Sequence, residues 1–155
     1  ASSSAASDVY KRQPYWNANA RGVLSGITRD TSPKEIVRAT IEAVAYQTHD
    51  LFEAMKYDGL RPKIVKVDGG MVMNNWFSQF LSDIVNVKVL RPKVQETTAL
   101  GAAFMAGLHI GVYKSLKDIS KNWQLDKKFS SKMKNSSRNI LIDGWEKAVK
   151  RALIN

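Results

Sequence analysis

Residues 67–84 read VDGGMVMNNWFSQFLSDI. The run Ile64-Val65-Lys66-Val67 enters this stretch as a strand, and Trp76, Phe77, Phe80, Leu81 and Ile84 recur on one side of a helix over residues 75–85. Between them stand one acid, two glycines and two asparagines. A tight turn with Asn75 as helix N-cap needs one glycine and one asparagine, and leaves the second of each without a task. In an open α/β sheet, ligands lie beyond the carboxyl ends of the strands, where helix N-termini face them. Gly69 and Gly70 sit at such a point, with Asn74 and Asn75 at the helix entry. Paired glycines let a ligand approach the backbone, and an exposed amide offers both donors and an acceptor.

Working outward, Ser32-Pro33-Lys34-Glu35 combines an N-cap serine, a proline at the first helical position and a capping-box glutamate. Val37, Ile41, Val44, Thr48, Leu51 and Met55 continue that helix as one stripe, and Gly59 supplies a stop. Residues 87–90 form a second strand closed by Pro92. A third helix fits residues 98–108, with Ala99, Ala102, Ala103 and Ala106 on a face small enough for tight packing on a sheet. A last helix runs over about residues 137–153, around Trp145 and Val149. Residues 14–30 are irregular, with a short strand over 22–27. The alternation of strand and helix indicates an α/β layer with some parallel pairing. The opening ASSSAASDVYKRQ, residues 1–13, is polar and without period, and is expected to be a disordered extension.

Composition narrows the functional classes. The chain has 155 residues, 44% hydrophobic and 25% charged, the size and balance of one globular domain. It shows neither a membrane-spanning apolar run nor a signal peptide, and it has no cysteine, so a cytoplasmic location is expected. The net charge of +10 raises nucleic acid as a partner, but the lysines are scattered and residues 127–150 carry no binding motif. His49 and His109 are far apart, each without a second ligand at metal spacing, and both read as structural. No Ser/His/Asp arrangement, phosphate loop or catalytic base stands out.

Three stretches carry a resemblance: PYWNANARGVLSGITRD from Pro14, VDGGMVMNNWFSQFLSDI from Val67, and RPKVQETTALGAAFMAGLHIGVY from Arg91. With GWEKAVKRA from Gly144, they resemble the carboxyl-terminal portion of the glycerol kinases, in the FGGY carbohydrate kinase family. Residues 22–42, ending Ala39-Thr40-Ile41-Glu42, look like that family's second signature. The resemblance covers residues 14–155 and implies a ribonuclease-H-like α/β domain of the actin and hexokinase type, incomplete on its amino-terminal side. It implies ATP and Mg²⁺ as cofactors, transfer of the γ-phosphoryl group to a terminal hydroxyl of glycerol, and a homo-oligomer when complete. No nucleic acid and no membrane partner are implied.

Carried onto this chain, the resemblance places the DGG-x-x-x-NN turn beside the adenosine. Gly70 would let the nucleotide lie against the backbone, Asn74 would reach the adenine, and Gly69 would shape the turn. Asn75 would remain the cap, and Asp68 would orient the loop. The family's phosphate-binding turn, its glycerol-binding Arg-Glu pair and its catalytic aspartate, in a Gly-Asp-Gln motif, have no counterpart in the 155 residues. Tyr15-Trp16-Asn17 stands where the family has Tyr-Trp-Asp. The expectation is an ATP-side lobe without the catalytic base. Another FGGY sugar kinase, a basic nucleic-acid-binding module and a non-catalytic interaction protein of actin-like fold remain the alternatives.

Overall fold

The computed structural model describes residues 21–154, so the extension expected over residues 1–13 lies outside the described residues. The first helix, α1 (Pro33–Tyr57), starts at the expected capping box. Ser32 Oγ accepts from Lys34 N at 3.3 Å, and Glu35 Oε2 accepts from Ser32 N at 2.8 Å. The hydrogen bond from the Ser32 hydroxyl, then that from its amide, holds the Glu35 carboxyl below its ordinary 4.5. A carboxyl depressed in the fold contributes stability that is complete above its unfolded pKa and is lost as the pH falls through the folded one. Through loss of the N-cap itself, Ser32→Ala is expected to cost about 1 kcal/mol at neutral pH. Urea melts at pH 7 and pH 3 should also show a smaller acid-induced loss in the variant than in the wild type.

From α1 the chain passes Gly59, at φ +83°, into β1 (Ile64–Lys66). A 3₁₀ turn (Gly70–Met73) leads to α2 (Asn75–Val85), and Asn86, left-handed at φ 55°, ends that helix before β2 (Lys88–Pro92). Then come α3 (Thr97–His109), a short α4 (Leu116–Ser120), β3 (Leu125–Phe129) and α5 (Asn135–Leu153). The sheet order is β1-β2-β3, parallel between β1 and β2 and antiparallel between β2 and β3.

The core lies around α2, which packs against β2 on one side and α1 on the other. Phe77, Phe80, Leu81, Ile84 and Val85 are buried with Val89, Phe129, Ala45, Tyr46 and Phe52. Its polar residues are small or satisfied. Ser82 Oγ donates to Val87 O at 2.7 Å, and Asp83 Oδ1 accepts from Lys132 N and Met133 N, which fixes the entry to α5. On α5, Trp145 stacks on Tyr46 at 5.5 Å and donates Nε1 to Asp50 Oδ2 at 2.8 Å, tying the last helix to the first.

Three expectations need correction, and one strand was not expected. Residues 22–27 form no strand: they are exposed and pair with none of the three described strands, although β1 has a described neighbour on one side only. Pro92 does not close β2 but is its last residue, tolerated at an irregularity in the β3 pairing between Arg91 and Pro92. The Ala99, Ala102, Ala103 and Ala106 face of α3 is exposed, because no described element packs closely over it. Only Gly107 of that helix is buried, where a Cβ would stand 2.9 Å from the Tyr113 ring. Finally, β3 went unforeseen. As an edge strand it buries Phe129 alone, and its exposed Lys127 and Lys128 hide the alternation while guarding the edge.

No described helix is long and apolar enough to cross a membrane.

Candidate functional site

The turn after β1 is built almost entirely from backbone. Val67 N donates to Leu90 O at 3.1 Å, the last bond toward the neighbouring strand, and Gly69 N donates to Gln95 O at 3.2 Å. Gly69 adopts φ 86°, ψ 172°, a region that only glycine enters without strain. Gly70 then opens the 3₁₀ turn, whose buried Val72 anchors it in the core while Met71 and Met73 are exposed. A Cβ built on Gly70 would meet nothing within 4 Å, and its φ is not positive. The chain's own turn therefore explains Gly69 and leaves Gly70 facing open space.

The asparagines exchange one expected role. Asn74, not Asn75, caps α2: its Oδ1 accepts from Trp76 N at 2.9 Å and from Phe77 N at 3.3 Å. Asn75 is the first helical residue, where its own side chain cannot reach back to cap. With Oδ1 committed to the helix, the exposed Asn74 offers Nδ2 as a donor outward. Gly69, Gly70 and Asn74 thus share one turn. Asp68, expected to orient the loop, is exposed and its carboxylate hydrogen-bonds to no described residue, so the described contacts that orient the loop come from elsewhere.

That work falls to two residues that motif reading passed over. Ser78 Oγ donates to Val72 O at 2.9 Å. Arg91, 6% exposed, donates Nη1 to Val72 O at 2.8 Å and to Met73 O at 3.2 Å, and Nε to Asp126 Oδ2 at 2.7 Å. The available signal was a charged residue in a short apolar strand beside a proline, which ordinarily reads as surface.

Beside the turn, Pro33, Lys34, Val37, Arg38, Ile41 and Trp76 line an open groove of about 480 Å³. The Arg38 guanidinium lies 5.4 Å from the centre of the Trp76 ring. None of Gly69, Gly70 and Asn74 lines this groove. His49 sits between Asp50 and Glu53 on α1, and His109 is exposed at the end of α3. Among the described residues no three His, Asp or Glu side chains gather as metal ligands.

Comparison with known proteins identifies the family. The family model described as the FGGY family of carbohydrate kinases, C-terminal domain, matches residues 6–110, beginning ahead of Pro14. Glycerol kinase 1 of Pseudomonas aeruginosa is 54% identical over 138 residues, covering 89% of this chain and 28% of that protein. Glycerol kinase of Halalkalibacterium halodurans is 50% identical over 140 residues, covering 90% and 28%. The crystal structure of Plasmodium falciparum glycerol kinase with ADP superposes with a TM-score of 0.78 at 34% identity, over 98% of this chain and 34% of that one. Gluconate kinase from Lactobacillus acidophilus follows at 0.65 and 27%, over 87% of this chain and 26% of that one. The chain spans 28% of the length of these curated relatives. It belongs to the FGGY family of carbohydrate kinases, and what it carries is sequence of that family's C-terminal domain.

Proposed function

We propose that the chain, over residues 14–155, is the ATP-side lobe of a glycerol kinase, an enzyme that moves the γ-phosphoryl group of ATP to a terminal hydroxyl of glycerol. The observation that carries this reading is Gly70, a glycine that neither backbone strain nor packing within the chain requires. An adenosine lying flat against the 3₁₀ turn supplies the missing reason, since any side chain there would stand in its space. Asn74 Nδ2 then donates to the adenine while Oδ1 keeps the cap on α2. The ADP bound by the Plasmodium falciparum relative supports a nucleotide at this lobe. Mg²⁺ would neutralise the phosphates during transfer. Among the described residues no three His, Asp or Glu side chains gather to hold it.

The two jobs of Asn74 can be separated. Asn74→Asp keeps an oxygen for the Trp76 and Phe77 amides, and adds a negative charge that the helix N-terminus tolerates well. It replaces the outward donor with an acceptor while the cap is kept. In the complete enzyme its KM for ATP should rise about five- to thirtyfold, corresponding to about 1–2 kcal/mol, with KM for glycerol unchanged. Asn74→Ala should show the same rise and also lose about 1 kcal/mol of stability with the cap. Steady-state assays with glycerol, gluconate and xylulose as acceptors test the substrate together with the site. Unchanged ATP kinetics in both variants would return Asn74 to the role of a cap alone.

A further inference from the structure

We propose that Arg91 is a positioning residue that holds the nucleotide turn from behind, an inference that rests on the reading of the turn just given. The last carbonyls of a short 3₁₀ helix have no partners within it. Here the carbonyls of Val72 and Met73 both point at one guanidinium nitrogen, and the Val72 carbonyl also receives the Ser78 hydroxyl. The same guanidinium is fixed at its other side by Asp126 on β3, and its carbon lies 5.6 Å from the centre of the Phe129 ring. One buried, planar, permanently charged group therefore joins β2, β3 and the turn.

The consequence concerns which way the turn faces. With its carbonyl end drawn inward, the turn keeps Gly70 and Asn74 on the exposed side. Lysine carries the same charge but is a point donor on a flexible stem. It cannot span the Val72 and Met73 carbonyls and the Asp126 carboxylate at once. A bond to the ionised Arg91 is stronger than one between neutral groups, so its loss should loosen the turn more than the loss of Ser78 Oγ would.

The test compares wild type, Arg91→Lys and Asp126→Asn in the complete enzyme. Arg91→Lys should raise KM for ATP about tenfold, with kcat within about twofold and KM for glycerol unchanged, as expected when ground-state binding weakens on the nucleotide side alone. Without nucleotide, the amides of Gly69 and Asn74, which donate to Gln95 O and Met71 O, should exchange about tenfold faster than wild type, while those of α2 keep their protection. Asp126→Asn leaves Nη1 in place and should raise KM for ATP only about two- to threefold, with a smaller exchange change in the same turn. If Arg91→Lys does not fold, Asp126→Asn decides the matter by these two readings. Arg91 as a mere sheet stabiliser predicts lower melting temperatures with unchanged ATP KM and unchanged turn exchange, and that result overturns the proposal. A wild-type enzyme that binds no adenine nucleotide overturns the reading of the turn and this role with it. A wild type that binds, beside variants that behave like it, overturns the role of Arg91 alone.

Discussion

Gly70→Val is expected to raise the KM for ATP by on the order of a hundredfold, about 3 kcal/mol, while barely moving the melting temperature. The two halves of this expectation come from different facts. A Cβ at Gly70 meets no protein atom within 4 Å and the backbone there is not left-handed, so a side chain can leave the folded backbone into open space. The nucleotide does not, because the same space is what the adenosine is proposed to occupy. Gly69→Ala should behave in the opposite way. Its φ of 86° with ψ of 172° costs a non-glycine residue about 1–3 kcal/mol, which appears as lost stability, with ATP affinity falling only as far as the turn shifts. Thermal melts and ATP titrations of the two variants side by side separate strain from occlusion. A Gly70→Val enzyme with wild-type ATP kinetics would mean that nothing lies against this backbone, and the nucleotide reading would fail at its main support.

Much of this arrangement was legible because it is local. Ser32 and Glu35 announce α1, and the aromatic and aliphatic spacing from Trp76 to Ile84 announces α2, since caps and helical faces depend on residues three and four apart. The glycine turn was legible for the same reason. The choice between adjacent asparagines was not, because a one-residue shift of the helix start moves the cap from Asn75 to Asn74 with no change in composition. What was hidden depends on distant partners. Arg91 is buried only because Val72 and Asp126 meet around it, and neither lies near it in sequence. The strand expected at residues 22–27 has the right residues but pairs with no described strand, while β3 pairs with β2 through unremarkable residues. The alanine face of α3 shows the limit of pattern alone: small residues permit close packing but do not supply the element that packs.

The 155-residue chain by itself is expected to bind ADP weakly and to form no glycerol-dependent ADP from ATP. Phosphoryl transfer depends on orienting the hydroxyl, accepting its proton and clamping the phosphates, and positioning alone is worth about 7–11 kcal/mol. Among the described residues, the buried carboxylates are already occupied. Asp50 receives the Trp145 indole, and Asp83 receives two backbone amides. Asp126, partly exposed, is held by Arg91. Asp68 hydrogen-bonds to no described residue, and it is exposed beside the turn, where no described element shields a reacting hydroxyl from water. The sequence has no Gly-Asp-Gln motif to supply the base that the family resemblance calls for. Removing a general base costs about a hundred- to ten-thousandfold, and losing orientation as well places turnover below detection. Calorimetric titration with ADP should still register binding at the turn, weakened because a single lobe covers one side of the nucleotide, and Gly70→Val should abolish that signal. A coupled assay for ADP release, run with and without glycerol, then decides where the chemistry lies. Release that rises with glycerol concentration would place the base within these 155 residues and would refute the division between a nucleotide lobe here and the reacting groups elsewhere.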